Sequence, residues 1–105
     1  MKESEIEKIL VSEVKKLGGR AYKWVSPGNS GVPDRIVIFP GRSPVFVELK
    51  TDKGAVSPLQ KVQIKRLEDL GQSVEVVKGI SGLRCFFGDY GFPETADQIG
   101  KMKVR

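Results

Sequence analysis

Histidine is absent from this chain, and that single absence removes more chemistry than any residue present supplies. Without it there is no Ser-His or Cys-His nucleophile pair, no imidazole general base and no His-ligated zinc. Any hydrolytic chemistry must then rest on carboxylates, lysine, backbone groups and a hard cation bound through oxygen. Cysteine is nearly absent too. The lone Cys85 can form neither an internal disulfide nor a zinc cluster, which agrees with a reducing compartment, and its expected place is that of a small buried apolar residue. No apolar run approaches the roughly 18 residues of a membrane span, and the opening MKESEIEK lacks the apolar stretch of a secretion signal. The chain therefore reads as intracellular (cytoplasmic), with no membrane partner. Acidic residues are the minority: 13 Asp plus Glu against 18 Lys plus Arg leave a net charge of +5, which favours polyanionic partners, nucleic acid first among them.

At 105 residues the sequence fits one domain with one modest core. Ile6, Leu10, Val14 and Leu17 recur at helical spacing from about Glu3, and Gly18-Gly19 ends that first helix. Three β-rich runs follow, about Arg20 to Val25, Arg35 to Phe39 and Val45 to Lys50, separated by the turn-forming SPGNSGVP and PGRSP; the last two read as a hairpin. A second helix starts at Ser57-Pro58, with Ser as N-cap, Pro at the first helical position and Gln60 completing a capping box, and runs through Val62, Leu67 and Leu70 to Gly71. A fourth strand, Ser73 to Lys78, precedes a short helix near Ile80 to Phe87. The expected fold is α/β, an α-β-β-β-α-β core with a mixed sheet flanked by helices. Residues 1–88 form the domain. Residues 89–105 show no clear period and read as a C-terminal tail, disordered or engaged in dimerisation through Tyr90, Phe92, Ile99 and Met102.

The chemistry gathers on the third strand. Glu48 and Lys50 are two residues apart and leave the same face, while Val45, Val47 and Leu49 point the other way into a core. Asp34 immediately precedes the second strand, so hairpin pairing brings its carboxylate toward Glu48. Two carboxylates crowded together repel unless a divalent cation joins them, and oxygen-only ligands suit Mg²⁺ or Mn²⁺. A protonated lysine cannot ligate that cation. It can hold or deprotonate an attacking water and offset charge on a phosphoryl oxygen, the tasks that a histidine-free phosphodiesterase must assign elsewhere.

The ESEIEKIL helix, the GVPDR turn, the VFVELK strand and the SPLQ helix start, in that order, resemble a stand-alone VRR-NUC domain, the virus-type replication-repair nuclease branch of the PD-(D/E)XK superfamily. The similarity covers roughly residues 1 to 80, with no departure at the motif positions. It implies a restriction-endonuclease-like core and phosphodiester hydrolysis with Mg²⁺ or Mn²⁺. It also implies Asp34 and Glu48 as metal ligands, the Leu49 carbonyl as a further ligand, Lys50 as the catalytic lysine, and Gln60 with a first-helix glutamate as members of the site. At about 100° per residue, Glu3 and Glu7 fall beside the arc of Leu10, Val14 and Leu17, whereas Glu5 faces solvent; Glu7 is the first choice and Glu3 the second. The alternative, less favoured, is that both are simply favourable charges near a helix N-terminus.

Other residues have two readings. Lys23, Arg35, Lys53 and Lys61 are candidate phosphate contacts or simply solvated charges. Gly31 permits a positive-φ turn and lets the backbone approach a phosphate, or serves the turn alone. Tyr22 and Trp24 are aromatic enough to stack on bases, but on a strand they are expected in the core. The resemblance implies an endonuclease leaving 5′-phosphate and 3′-hydroxyl ends on branched or four-way (Holliday) junction DNA in replication, recombination or repair, working as a homodimer. The alternatives are a non-catalytic nucleic-acid-binding module on the same fold and an adaptor whose basic surface meets an acidic protein.

Overall fold

The computed structural model describes residues 1–102. Its elements run α1 (Glu3–Lys16), β1 (Arg20–Lys23), β2 (Arg35–Ile38), β3 (Val45–Lys50), α2 (Pro58–Asp69), β4 (Ser73–Lys78), α3 (Gly79–Asp89) and α4 (Pro93–Gly100). The strands form one sheet in the order β1-β2-β3-β4. The first three pair antiparallel and β4 lies parallel to β3, giving the mixed α/β sheet that the sequence predicts. Only the β3–β4 step needs a crossover, and α2 supplies it.

The two faces of the sheet are covered unequally. Ala21, Val37, Val45, Val47, Leu49 and Val77 alternate onto one face, where α1 contributes Ile6, Leu10 and Val14 and α3 contributes Leu83, Phe86 and Phe87. These side chains form one contiguous core. Burying each of the larger ones contributes about 1.5–3 kcal/mol relative to leaving it in water. On the opposite face α2 meets the sheet mainly through β4 and buries no residue completely. Its inward row, Gln60, Gln63, Ile64 and Leu67, is half-buried, whereas Leu59, Val62 and Leu70 face out. Beyond α2, over β1 and β2, that face carries no helix.

Three expectations are corrected. From residue 89 to residue 102 the chain is not a loose tail: α4 folds back with Ile99 fully buried, while Tyr90, Phe92 and Met102 pack against the core. Residues 103–105 of the expected tail lie outside the described residues. Cys85 is exposed, because on α3 it falls outside the arc of Leu83, Phe86 and Phe87 that meets the sheet. Tyr22 is 57% exposed rather than in the core, since β1 is an edge strand whose only buried side chain is that of Ala21. Trp24 is half-buried, tilted against Phe46 with ring centroids 5.2 Å apart. Among the described residues no helix is long and apolar enough to cross a membrane.

Candidate active site

The register of the hairpin places the first two groups. Arg35 pairs with Val47, so one step further along the antiparallel ladder Asp34 stands across from Glu48. The Asp34 carboxylate accepts the Leu49 backbone N–H at 2.8 Å, taking a donor that β2 no longer reaches. Asp34 is thereby fixed by β3 itself, and its backbone carbonyl accepts the Trp24 N–H at 3.0 Å to hold the loop before it.

Glu48 is 1% exposed, a burial that a carboxylate tolerates only with partners. One oxygen has two of them. Its Oε2 accepts from Gln60 Nε2 at 2.9 Å and lies 3.2 Å from Lys50 Nζ. The other oxygen, Oε1, is buried with no hydrogen-bond partner. Burial, the Asp34 charge and the Glu3 charge raise the Glu48 pKa from 4.5 to about 7, against a lowering by the Lys50 hydrogen bond and charge. An unpartnered, buried carboxylate oxygen across from a second carboxylate is poised for a cation.

Gln60 has two roles at once. Its Oε1 accepts the Ser57 backbone N–H at 2.9 Å while the Ser57 side chain accepts the Gln60 N–H at 3.2 Å, the expected capping box. Because the cap takes the carboxamide oxygen, the amide nitrogen must be the end offered to Glu48. Gly31 is explained by the same helix start. Its φ is +88°, and a Cβ there would stand 2.9 Å from the Leu59 carbonyl, so it lets the loop press on the α2 backbone rather than leaving room for a phosphate. Gln63 adds a hydrogen bond to the Ser30 carbonyl at 3.2 Å, tying the same loop to the helix.

Other candidates are placed less centrally. Glu7 is held by Arg35, Nε to Oε2 at 2.8 Å, and Arg35 also donates to the Ala21 carbonyl. This pair lies on the α1 face of the sheet, so Glu7 is engaged away from Glu48, and Arg35 is committed to protein partners rather than open to phosphate. Glu3, in the exposed first turn of α1, is the helix carboxylate whose charge reaches Glu48. Glu5 instead accepts the Lys2 N–H at 3.0 Å at the helix start. Lys23, Lys53 and Lys61 are exposed. Sequence reasoning misses Lys78, the register partner of Lys50 on β4, because only the parallel pairing puts the two lysines side by side and no local signal announces it.

Among the described residues no three or more His, Cys, Asp or Glu side chains gather as a ready-made metal cage. The donor set is leaner: Asp34, Glu48 with its free Oε1, and the backbone at Leu49. That fits Mg²⁺ or Mn²⁺, cations that commonly take one or two carboxylates and leave remaining positions to water and phosphate oxygens.

Comparison with known proteins places the chain in a family. The family profile described as VRR-NUC domain matches residues 1–80. A protein of Acyrthosiphon pisum secondary endosymbiont phage 1, provisionally named nuclease p44, is 49% identical over 77 residues, covering 73% of this chain and 83% of that one. A solved structure titled VRR_NUC domain matches with a TM-score of 0.67 at 25% identity, covering 96% of this chain and 97% of its own.

Proposed function

The chain belongs to the VRR-NUC domain family and is a nuclease, and on that premise we propose that it is a Mg²⁺- or Mn²⁺-dependent DNA endonuclease acting at Asp34, Glu48 and Lys50. The observation that carries this reading is the buried, unpartnered Glu48 Oε1 across the ladder from Asp34. Asp34, Glu48 and the Leu49 carbonyl would hold the cation, which when bound would supply Lewis-acid polarisation of the phosphoryl group and neutralise its charge. Gln60 fixes the orientation of Glu48 so that Oε2 faces Lys50 and Oε1 stays free. Lys50, only 15% exposed, positions the attacking water and offsets negative charge on the non-bridging oxygens. As the water oxygen bonds to phosphorus, the bond to the 3′ oxygen breaks, leaving 5′-phosphate and 3′-hydroxyl ends. Glu3 completes the acidic side of the site in place of Glu7.

The substrate we assign is branched DNA, four-way junctions above linear duplex, met inside the cell during replication, recombination or repair. A homodimer gives two such sites a fixed separation and doubles the basic surface. Ile99 and the aromatic residues near it are used by the core of their own chain, so the contact between copies falls to the outward row of α2, Leu59, Val62 and Leu70.

Fluorescent linear, flap and four-way DNA incubated with Mg²⁺, Mn²⁺ or EDTA tests the reading. Cutting is expected with either cation and fastest on the junction, with none in EDTA. Robust cutting in EDTA sinks the mechanism, and binding without cutting under every condition returns the chain to a non-catalytic module.

A further inference from the structure

The half of the sheet face that α2 leaves bare carries a second feature. Residues of β1, β2 and the loops at their far end surround a hollow of about 520 Å³, lined by Arg20, Tyr22, Ile38 and Arg42 among others, with no acidic side chain in its lining. Tyr22 is 57% exposed and Ile38 is 37% exposed. Arg42 is not a loose surface charge. Its guanidinium lies over the Phe39 and Phe92 rings, 5.7 and 4.9 Å from their centroids, and donates to the Tyr90 carbonyl. These contacts commit it to its own chain at the rim of the hollow, leaving Arg20 as the cation of the bare face.

The hollow and the catalytic patch share one face. Alternation from Ile36, Phe46 and Tyr22, which lie in one row of the ladder, puts Glu48 on the same side as Tyr22. The rung Arg20–Ile38 is four positions from Asp34, about 13 Å at the roughly 3.3 Å rise of a strand. Between the two ends lies the Trp24–Phe46 pair. An exposed aromatic beside an arginine on the same strand face, next to an uncovered apolar strip, has the make-up of a platform on which an unpaired base stacks while a cation meets the backbone. Paired bases present no such faces.

We infer that this bare face binds an unpaired DNA strand leading to the cleavage site, with a base stacked on Tyr22 and a phosphate held by Arg20. The inference rests on the nuclease reading for the identity of its ligand. Through this face the chain would favour branches with a single-stranded arm, such as flaps, over linear duplex, since these set unpaired bases beside a duplex; a four-way junction, paired in all its arms, would gain nothing from it.

The test measures binding, not cutting. A fluorescein-labelled single strand of about 15 nucleotides, within the usual site size of such platforms, is titrated in EDTA with the full-length protein and followed by anisotropy, with a duplex of equal length alongside. Tyr22→Ala should weaken single-strand binding about tenfold or more while moving the duplex little; Tyr22→Phe should bind as the parent does. Arg20→Ala should weaken binding and lower the salt dependence by about one phosphate contact. Tyr22→Ala binding within twofold of the parent, or equal losses for single strand and duplex, overturns the inference. A fall in the mass of Tyr22→Ala by light scattering would make the face a contact between copies and overturn it as well. Because no cation is present, failure here is separable from failure of the nuclease reading, which shows only in the cleavage assay.

Discussion

β3 presents two faces built from alternating residues, and they obey opposite rules. Val45, Val47 and Leu49 are 3%, 0% and 1% exposed, packed by α1 and α3 in the apolar core. Glu48 is as completely buried as Leu49, yet it faces an acidic neighbour, an ammonium and an amide, with one oxygen left unpartnered. Equal burial therefore means stability on one face and stored electrostatic cost on the other. The helices repeat the contrast: α1 buries Ile6, Leu10, Glu13 and Val14, whereas α2 buries no side chain completely and is tied to the site by capping and hydrogen bonds. The firm face holds β3 in place so that the costly face keeps its geometry.

The sharpest break of this comparison uses adjacent residues. Leu49→Ala should destabilise the fold by about 2–5 kcal/mol through the cavity it leaves, lowering the melting temperature by on the order of 10 °C or more. Glu48→Gln should do the reverse. It removes the repulsion with Asp34 and keeps an oxygen for Gln60 and Lys50, so its melting temperature in EDTA at pH 8 should equal or exceed the parent's while turnover falls by at least about a hundredfold. Circular dichroism melts and a cleavage assay on the two variants give both quantities. A Glu48→Gln protein that melts well below the parent would mean that the carboxylate is structural.

The second prediction follows from the raised Glu48 pKa, about 7 in the fold against 4.5 as the ordinary value. Between those two values the folded chain holds a proton that the unfolded chain has released, so stability falls as pH rises through that window and levels off above it. The full shift corresponds to on the order of 3 kcal/mol. Melts in EDTA from pH 4 to 8, read as the difference between the parent and Glu48→Gln, should show this fall. Parallel curves for the two proteins would remove Glu48 as its source. Added Mg²⁺ should raise the parent's melting temperature more at pH 8 than at pH 5, because ligation needs the ionised carboxylate.

The sequence made legible what local rules govern. β3 and β4 fall at Val45–Lys50 and Ser73–Lys78 as expected, since turn formers bound both. The Ser57–Gln60 cap is local and is observed. Asp34, Glu48 and Lys50 come together because hairpin register and strand alternation are arithmetic on the sequence. Features fixed by distant contacts were not legible. α4 has its own Pro93 start, but its place depends on Phe92 and Ile99 meeting a core assembled from α1, β2 and α3. The exposure of Tyr22 depends on which strand lies at the edge and on α2 covering only the β4 side. Helical periodicity puts Glu7 near the apolar arc of α1, but it cannot tell that Arg35 waits there.

That last point gives the smallest expected effect and bears on the same two faces. Glu7 is on the firm side, 26% exposed and hydrogen-bonded to Arg35, while Glu3 is on the first turn with its charge acting on Glu48. Glu7→Gln should keep a weaker hydrogen bond to Arg35 and lose its charge, destabilising the fold by about 1 kcal/mol with turnover changed less than a few-fold. Glu3→Gln should leave the melting temperature alone, because its side chain is exposed, and slow cleavage several-fold by taking one acidic group from the site. Glu5→Gln, which alters only the cap at Lys2, serves as the reference for both. The measurement is kcat with a junction substrate at saturating Mg²⁺ set against the melting temperature of each variant in EDTA. If Glu7→Gln slowed turnover more than Glu3→Gln while melting like the parent, Glu7 would act across the sheet edge and the division between a structural and a chemical face would fail at α1. If Glu3→Gln alone slowed turnover, the first turn of α1 would belong to the chemical face and the remainder of that helix to the core.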